Sequence, residues 1–249
     1  MGADQHIDWM SSVGSALDWW QEAGVDTLVD DAPRDWLSQP MPAPAAFAAA
    51  AAASAAAAPA VPAAATMPDQ LADFIAWRMG DAAPEVEWRG VSIAASGPPD
   101  AAIMVLVDCP DKDDGDAGTL LSGAAGALFD RMLAAIGLSR ETVHLAAVCA
   151  KRPVAGRMPR DTEARLSDIS KHHIGLVAPK RLLLLGNAAS RAILGAEMPG
   201  TRGSLHSFNH RSGETGVVAS FHPRFLLEKP VAKAEAWKDL QLLMGNLPA

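Results

Sequence analysis

Two residues with acid–base chemistry come directly after apolar runs of the sequence. Asp108 follows residues 103–107, and His222 follows residues 217–221. A carboxylate and an imidazole at one site can activate water and stabilise charge that develops during a reaction. Asp108 and His222 are therefore candidates for residues that act on a ligand at a shared site. Each also has a structural interpretation, because an Asp can cap a turn and a His can cap a helix.

The elements that position these residues alternate between strand and helix from about residue 101 onwards. Continuous apolar runs are typical of strands buried on both faces. Such runs predict strands at residues 103–107, 143–148, 182–185 and 217–221. Apolar residues at helical spacing predict helices near residues 122–137, 161–177, 188–194 and 232–244. The alternation predicts a doubly wound α/β fold: a three-layer α/β/α domain with a four-stranded parallel sheet.

Polar residues also follow the other two predicted strands. Lys151 and Arg152 come after the second strand, and Asn187 comes after the third. Ligands of open parallel sheets bind beyond the carboxyl ends of the strands. Basic side chains and helix amino termini bind anions such as phosphate. The pattern alone therefore predicts one ligand site at this edge, which Asp108 and His222 share with the basic residues.

The chain divides into three parts of different composition. Residues 1–37 are rich in tryptophan and are predicted to form a helical segment. Its aromatic side chains either pack in a core or dock a protein partner. Residues 38–67 are predicted to be a disordered linker, because they consist mainly of Ala and Pro. Residues 68–249 are expected to form the α/β domain.

Charge is distributed unevenly along the sequence. The net charge is −8, but residues 1–150 carry −15 and residues 151–228 carry +6. A basic segment within an acidic chain is compatible with local contact to phosphates. A solvated surface with uneven charge is the alternative. If the partner is DNA, binding should be sensitive to salt.

The cysteine count, the first ten residues and the alanine run together indicate the cellular compartment. Cys109 and Cys149 are too few for a disulfide framework or a four-thiolate metal site, and they fit a reducing cytoplasm. The first ten residues lack the positive flank of a secretory signal. The alanine run 45–65 contains two prolines and neither Leu nor Ile, so no membrane span is predicted. We expect a cytoplasmic monomer.

Three polar features have open interpretations. The segment 204–215 is either a DNA-contacting insertion or a surface loop. The acidic residues between Asp111 and Asp116 are expected to form a solvated loop with no fixed metal geometry. The pair His172-His173 has no Cys or Glu nearby in the sequence to complete a ligand set, so no metal site is expected.

Several segments resemble bacterial uracil-DNA glycosylases of the iron–sulfur (family 4) class. Residues 128–138 are similar to that family's first core helix, and Pro179-Lys180 leading into residues 182–186 is similar to its third strand. His222-Pro223-Arg224-Phe225-Leu226-Leu227, followed by Lys229-Pro230, resembles its His-Pro loop. Residues 237–241 resemble its closing helix. The order and spacing of these segments support the resemblance, which extends over roughly residues 101–243.

The resemblance implies an enzyme that flips uracil out of DNA and hydrolyses its N-glycosidic bond. It implies that His222 contacts the uracil oxygen that gains charge, and that Asp108 holds the position of the carboxylate on the water side. It also implies that Pro223, Arg224 and Phe225 approach the minor groove, where Arg224 would contact a phosphate.

The sequence departs from the family's pattern within the site. The motif Gly-Glu-Ala-Pro-Gly is replaced by Val107-Asp108-Cys109-Pro110-Asp111, which places a second carboxylate where DNA should approach. Leu121 stands where the family has the aromatic residue that stacks on the base. Ala147 stands where the family has the Asn that reads the uracil edge.

The ligands of the family's iron–sulfur cluster are also replaced. The segment Lys-Cys-Arg-Pro reads Ala150-Lys151-Arg152-Pro153, the downstream ligand position is Leu166, and the amino-terminal Cys pair is missing. A cluster of this kind needs four protein ligands. The sequence therefore excludes it, and no cofactor is expected.

The complete predicted site extends beyond the catalytic pair. The residues expected to line a base pocket are Val107, Cys109, Leu121 and Ala147. The residues expected to contact DNA are Lys151, Arg152, Arg157, Asn187, Arg202, Pro223 and Arg224.

Two functions fit these residues. The first is a DNA repair glycosylase that removes uracil or a related deaminated base with Asp108 and His222. The alternative is a catalytically degenerate protein of the same fold that binds single- or double-stranded DNA or a repair partner, with residues 1–37 as the docking helix. A nucleotide-binding enzyme unrelated to repair would need a glycine-rich phosphate loop after the first strand, and Asp108-Cys109-Pro110-Asp111 is not one.

Overall fold

A computed structural model describes residues 67–154, 158 and 160–245 of the chain. The predicted helical segment 1–37, the predicted linker up to residue 66 and the predicted DNA contact Arg157 lie outside the described residues. Within the described part, no helix combines the length and the apolar character that a membrane crossing requires.

The strands and helices of the domain follow each other along the chain largely as predicted. The strands are β1 (Ile103–Val107), β2 (Val143–Ala147), β3 (Arg181–Leu185), β4 (His206–His210) and β5 (Gly213–Ser220). The helices of the described residues are α1 (Leu71–Met79), α2 (Asp114–Ala117), α3 (Gly123–Ala135), α4 (Arg160–Val177), α5 (Asn187–Leu194), α6 (Met198–Thr201), α7 (Pro223–Glu228) and α8 (Lys233–Met244). A 3₁₀ turn, Pro230–Ala232, joins α7 to α8.

The strands form one mixed sheet in the order β2-β1-β3-β5-β4. Strands β2, β1, β3 and β5 are parallel, as the sequence predicts. Strand β4 pairs antiparallel with β5 at the edge of the sheet. The prediction of a four-stranded, wholly parallel sheet is therefore wrong by one antiparallel edge strand.

Strand β4 comes from the polar segment 204–215, for which the sequence predicts either a DNA-contacting insertion or a surface loop. Its side chains alternate between half-buried and exposed positions, because only one side of this edge strand is covered. It contains no apolar run, and the prediction of buried strands relied on such runs. The segment continues through a tight turn into β5, which begins at Gly213, four residues before the predicted start.

Helices cover both faces of the sheet because the strand side chains alternate between two cores. In β1, Ile103, Val105 and Val107 belong to a core that α3 and α8 complete. Met104 and Leu106 belong to a second core that α4 and α5 complete. Burial on both faces explains why β1 reads as a continuous apolar run.

A buried ion pair attaches the segment before β1 to the end of β2. Arg78, on α1, pairs with Glu85, and both side chains are buried. Glu85 also accepts a hydrogen bond from the backbone N–H of Ala150 at 3.0 Å. Arg78 donates to the carbonyl oxygen of Val148 at 2.7 Å. The ion pair therefore fixes the position of residues 148–150, which follow β2 at the carboxyl edge of the sheet.

Candidate active site

The strand register brings the predicted catalytic residues to one edge of the sheet. Val107 is level with Leu185, and Leu185 is level with Ser220, so β1, β3 and β5 end together. Asp108 follows β1 and His222 follows β5 by two residues. Strand β3 lies between them, and two strand spacings place their backbones about 10 Å apart. Strands β2 and β3 lie on opposite sides of β1, so the order of the strands reverses at β1, and open α/β sheets bind ligands at such a point.

Asp108 is held against the start of helix α5. Its Oδ1 accepts a hydrogen bond from the backbone N–H of Ala189 at 2.7 Å, and the N–H of Ala188 also donates to the carboxylate. Helix α5 has no side-chain cap at Gly186, the residue before it, so the carboxylate of Asp108 takes that place. Asp108 therefore has a structural role at the start of α5, which differs from the predicted cap of the turn after the first strand, and its catalytic role stays a prediction.

Gly186 allows Asp108 to approach the helix this closely. Its φ of 115° lies in the region that favours glycine. A Cβ at Gly186 would lie 2.7 Å from Oδ1 of Asp108 and closer still to Oδ2. Gly186 directly follows the predicted third strand, at the edge where ligands of parallel sheets bind, and its position in the sequence gives no sign of the close approach to Asp108.

The surroundings of Asp108 shift its acidity in opposing directions. Burial raises the pKa of its carboxyl above the usual range, while the N–H groups of Ala189 and Ala188 lower it. The positive charges of Arg191 and Arg224 also lower it. The net direction is upward, so the carboxylate binds a proton more readily than an exposed Asp does. That change favours a role in accepting a proton from water.

His222 caps helix α7 and is only 8% exposed. Its Nδ1 accepts a hydrogen bond from the backbone N–H of Arg224 at 3.2 Å. Because Nδ1 is an acceptor, the proton of the neutral ring lies on Nε2. The Nε2–H group has no hydrogen-bond partner among the residues that the structure describes, so it can donate to a ligand.

Burial keeps His222 neutral at ordinary pH. It lowers the pKa of the imidazole to about 4, against an opposing effect of Asp111, which raises it. Arg224 lowers the pKa of His222 further, and Asp114 raises it. A neutral imidazole with Nε2–H is a hydrogen-bond donor that carries no charge of its own.

Asp111 joins the loops that follow three strands. It lies after β1 and forms an ion pair with Arg224, which lies after β5. Arg152, which lies after β2, approaches the same carboxylate at 3.8 Å and donates to the carbonyl oxygen of Pro110 at 2.8 Å. Two of the predicted DNA contacts, Arg152 and Arg224, are therefore brought together at the edge, and the carboxylate that joins them was not among the predicted site residues.

The loop that carries Asp111 is organised by a second buried carboxylate. Asp114 accepts hydrogen bonds from the backbone N–H groups of Asp111 at 2.8 Å, Leu121 at 3.0 Å and Ser122 at 2.7 Å. The hydroxyl of Ser122 donates to it as well. The expectation of a solvated acidic loop is therefore wrong for Asp111 and Asp114, and correct for the exposed Asp113 and Asp116.

The residues predicted to line a base pocket are mostly packed into the two cores. Val107 and Leu121 are each 1% exposed and belong to the core that α3 and α8 complete. Leu121 adopts a φ of 52°. Cys109 is buried in the other core, where burial raises the pKa of its thiol to about 11. Ala147 is half-buried at the end of β2. Their contact with a base stays a prediction.

Two further predicted DNA contacts hold other parts of the chain. The Nζ of Lys151 donates to the carbonyl oxygen of Val86 at 2.9 Å. The exposed Asn187 accepts a hydrogen bond from the N–H of Met198 at 3.2 Å through its side-chain oxygen. Pro223 is buried in the first turn of α7. None of these contacts tests an interaction with DNA.

Arg202 is part of a buried network instead of the rim around Asp111. It pairs with Asp239 at 2.9 Å and lies over the ring of Phe221, 4.1 Å from its centre. The hydroxyl of Ser220 donates to the same carboxylate at 2.7 Å. The guanidinium of Arg202 therefore fastens α8 to the end of β5, and its predicted contact with DNA stays untested.

The residues present do not fit an iron–sulfur cluster. The chain has two cysteines, Cys109 and Cys149, and both are buried in an apolar core. Leu166, at the predicted downstream ligand position, is fully buried in that core. The N–H of Ala150 is bonded to Glu85, so an ion pair fastens this segment. Among the described residues, no group of three or more His, Cys, Asp or Glu side chains is arranged to hold a metal ion.

Comparison with known proteins agrees with this geometry. Residues 94–241 match the model of the family described as "Uracil DNA glycosylase superfamily". A type-4 uracil-DNA glycosylase of Pyrobaculum aerophilum is 26% identical over 176 residues, which cover 67% of this chain and 88% of the relative. A protein of the same name from Archaeoglobus fulgidus is 27% identical over 148 residues, or 57% of this chain and 74% of the relative. The match includes the strand ends that carry Asp108 and His222, and the chain belongs to the uracil DNA glycosylase superfamily.

Proposed function

We propose that this protein is a DNA repair glycosylase that hydrolyses the N-glycosidic bond of uracil or a related deaminated base in DNA. The observation that carries the proposal is the imidazole of His222, which is neutral, is fixed in one tautomer and has a free Nε2–H at the ligand edge of the sheet. Membership of the superfamily and relatives named type-4 uracil-DNA glycosylase support the same activity.

His222 would act on the leaving group. When the bond between the base and the sugar breaks, negative charge develops on the base and is shared by its carbonyl oxygens. A fixed N–H donor stabilises such charge, and it does so more strongly where water is excluded. Because burial lowers the pKa of His222 to about 4, the imidazole is neutral at pH 7, so Nδ1 accepts from Arg224 while Nε2–H donates to the base.

Asp108 would act on the sugar side. The N–H groups of Ala188 and Ala189 fix the direction of its carboxylate. A negative charge at this position stabilises the positive charge that develops on the sugar. The raised pKa of Asp108 makes its carboxylate a better proton acceptor for the attacking water. Water supplies hydroxide to the sugar carbon, and its proton goes to the carboxylate and then to the departing base.

The experiment is a base-excision assay with oligonucleotides that contain one uracil, single- and double-stranded, followed by alkaline cleavage at abasic sites. We expect cleavage by the wild type. Removal of one donor to a developing charge costs about 10²–10³-fold in rate, and we expect that loss for His222→Ala. Asp108→Asn keeps the shape of the side chain and should lose roughly 10²-fold or more.

A matched control separates catalysis from folding. His206→Ala removes a histidine of β4, outside the proposed catalytic pair, and should keep the excision rate. Thermal unfolding of each variant reports whether the domain stays folded. Excision that survives both His222→Ala and Asp108→Asn would overturn the assigned roles.

Two features favour a second candidate function: Leu121 is buried, and Ala147 has no amide side chain that could bind a base. Leu121 is 1% exposed and presents no aromatic face to a base. Ala147 offers no hydrogen-bonding group for the edge of uracil. A protein of this fold that binds DNA without excising a base would show DNA binding and no abasic product with any deaminated base in the same assay.

We further propose that the protein works as a cytoplasmic monomer and that residues 1–37 dock a protein partner. The tryptophan-rich composition of that segment supports the second point. Gel filtration with light scattering tests the oligomeric state. Pull-down with residues 1–37, against the same segment carrying Trp19→Ala and Trp20→Ala, tests the docking.

A further inference from the structure

We propose that Asp111 is a positioning residue that holds Arg152 and Arg224 as one phosphate-binding subsite. The inference rests on the proposed function, because the phosphate in question is one of the DNA backbone. Both guanidinium groups approach Oδ1 of the same carboxylate, although the arginines come from loops after different strands.

Asp111 is buried and its two arginine partners are partly exposed, so the carboxylate can support guanidinium groups that face solvent. The side chain of Asp111 is 10% exposed, whereas those of Arg152 and Arg224 are 36% and 48% exposed. A guanidinium has five N–H donors in a rigid plane. One terminal nitrogen of Arg224 faces Asp111, and the remaining donors of its guanidinium have no hydrogen-bond partner among the described residues. The outer donors of both arginines are therefore available to an anion in solvent.

The carboxylate lies in a rigid frame. The N–H of Asp111 is bonded to Asp114, and Asp114 is itself buried with hydrogen bonds to Leu121 and Ser122. Arg152 is further fixed by its bond to the carbonyl oxygen of Pro110. A long arginine side chain normally loses conformational entropy when it binds a ligand. Here that ordering is done before the phosphate arrives, which favours binding.

A purely electrostatic role for Asp111 would have the opposite effect on DNA binding. A negative charge near a phosphate weakens binding, so its removal alone should tighten it. A positioning role means that Asp111→Asn weakens binding, although the protein becomes less negative. The sign of the change therefore distinguishes the two roles.

The experiment measures the affinity of the full chain for a fluorescein-labelled oligonucleotide that carries thymine in place of uracil, at several salt concentrations. This probe has the same phosphates and is not a substrate of the proposed reaction. We expect Asp111→Asn to weaken binding about tenfold, and to reduce the slope of log K against log salt by about 0.7–0.9, which is the share of one lost phosphate contact. Asp116→Asn is the matched control, since it removes the same charge from an exposed position of the same loop.

A second set of variants keeps the inference testable if Asp111→Asn does not fold. Two arginines that hold one phosphate act as a unit, so Arg152→Gln and Arg224→Gln together should lose less affinity than the product of their separate losses. Strictly multiplicative losses would overturn the inference. Equal or tighter binding by Asp111→Asn than by Asp116→Asn would overturn it as well. Uracil excision that is absent despite DNA binding refutes the proposed function alone, and absence of DNA binding in all variants refutes both.

Discussion

The backbone N–H of Arg224 donates to Nδ1 of His222, and this one bond ties the tautomer of the imidazole to the first turn of α7. The same arginine reaches Asp111 with its side chain. Residues 222–224 therefore supply both the candidate donor to the base and a candidate contact to the phosphate. A change that moves the start of α7 should disturb both functions together.

His222 should stay neutral throughout the physiological range of pH. Burial lowers its pKa to about 4, so protonation is expected only well below the 6.5 of an exposed histidine. We expect the rate of base excision to show no inflection near pH 6.5 from this residue. Nitrogen NMR of the histidine-labelled protein, with His222→Gln for assignment, should show the proton on Nε2 from pH 5 to 8. A resonance of His222 that titrates near 6.5, or a proton on Nδ1, would contradict the prediction.

Gly186→Ala should damage the site through Asp108. The new Cβ would overlap both carboxylate oxygens, since it would lie only 2.7 Å from Oδ1 and closer still to Oδ2, so the side chain of Asp108 must move away from α5. We expect an excision rate about as low as that of Asp108→Asn, roughly 10²-fold below the wild type, in a protein that still folds.

Gly195→Ala is the matched control for this substitution. Gly195 also has a positive φ, 71°, but a Cβ there meets nothing within 4 Å. It should lose about 1–2 kcal/mol of stability from backbone strain and keep its excision rate. Equal rates for the two alanine variants, measured as single-turnover excision, would show that Asp108 tolerates displacement.

The predictable part of this fold is the part that composition encodes locally. The five residues of β1 are apolar because both of their faces are buried, and the sequence places this strand at its observed ends. Strand β4 is half-covered and polar, so no local signal distinguishes His206–His210 from a loop. Its pairing depends on β5, which only the folded chain supplies.

The sequence predicts which strand ends form the candidate site, but it does not predict which side chains pair with each other there. The rule that ligands bind beyond parallel strands locates Asp108, Arg152 and His222 without any contact being known. Which carboxylate pairs with which arginine depends on side chains 113 positions apart, such as Asp111 and Arg224. Arg202 carries the same charge, and only the position of Asp239 shows that it is fastened elsewhere.

Glu85→Gln should destabilise the domain strongly. Both Glu85 and Arg78 are buried, so removal of one charge leaves the other without its partner, which typically costs about 3–5 kcal/mol of the free energy of unfolding. Replacement of both, Arg78→Met with Glu85→Leu, should recover part of the loss. Full recovery is not expected, because the N–H of Ala150 and the carbonyl of Val148 lose their partners.

Urea unfolding measures this difference, and Glu87→Gln serves as the control. Glu87 is exposed two residues further along the same segment, so its charge is solvated. The control should change the free energy of unfolding by less than about 0.5 kcal/mol. A loss of the same small size for Glu85→Gln would mean that the ion pair does not fasten this segment to β2.

Acid should destabilise the fold through two buried histidines. His144 donates through Nδ1 to the carbonyl oxygen of Pro98 at 3.0 Å, and its Nε2 lies 3.0 Å from Nε2 of His173, so the latter nitrogen is the donor between the rings. Burial lowers the pKa of His144, and it lowers that of His173 to well below 6.5, where His144, Arg78 and His172 act in the same direction. Both rings are therefore neutral in the fold.

The sign of the pH dependence follows from these shifts. The unfolded chain binds protons at these two positions below about pH 6.5, whereas the folded chain does not, so stability is full above 6.5 and falls as the pH drops towards the folded pKa values. His173 should cost up to about 1.4 kcal/mol for each pH unit below 6.5, and His144 acts in the same direction. Urea unfolding at pH 7.5, 6.5 and 5.5 measures the slope, and His173→Leu should reduce it by about one proton's share. An identical slope in the wild type and in His173→Leu, with His206→Gln as the comparison outside the pair, would mean that the acid sensitivity arises from other groups.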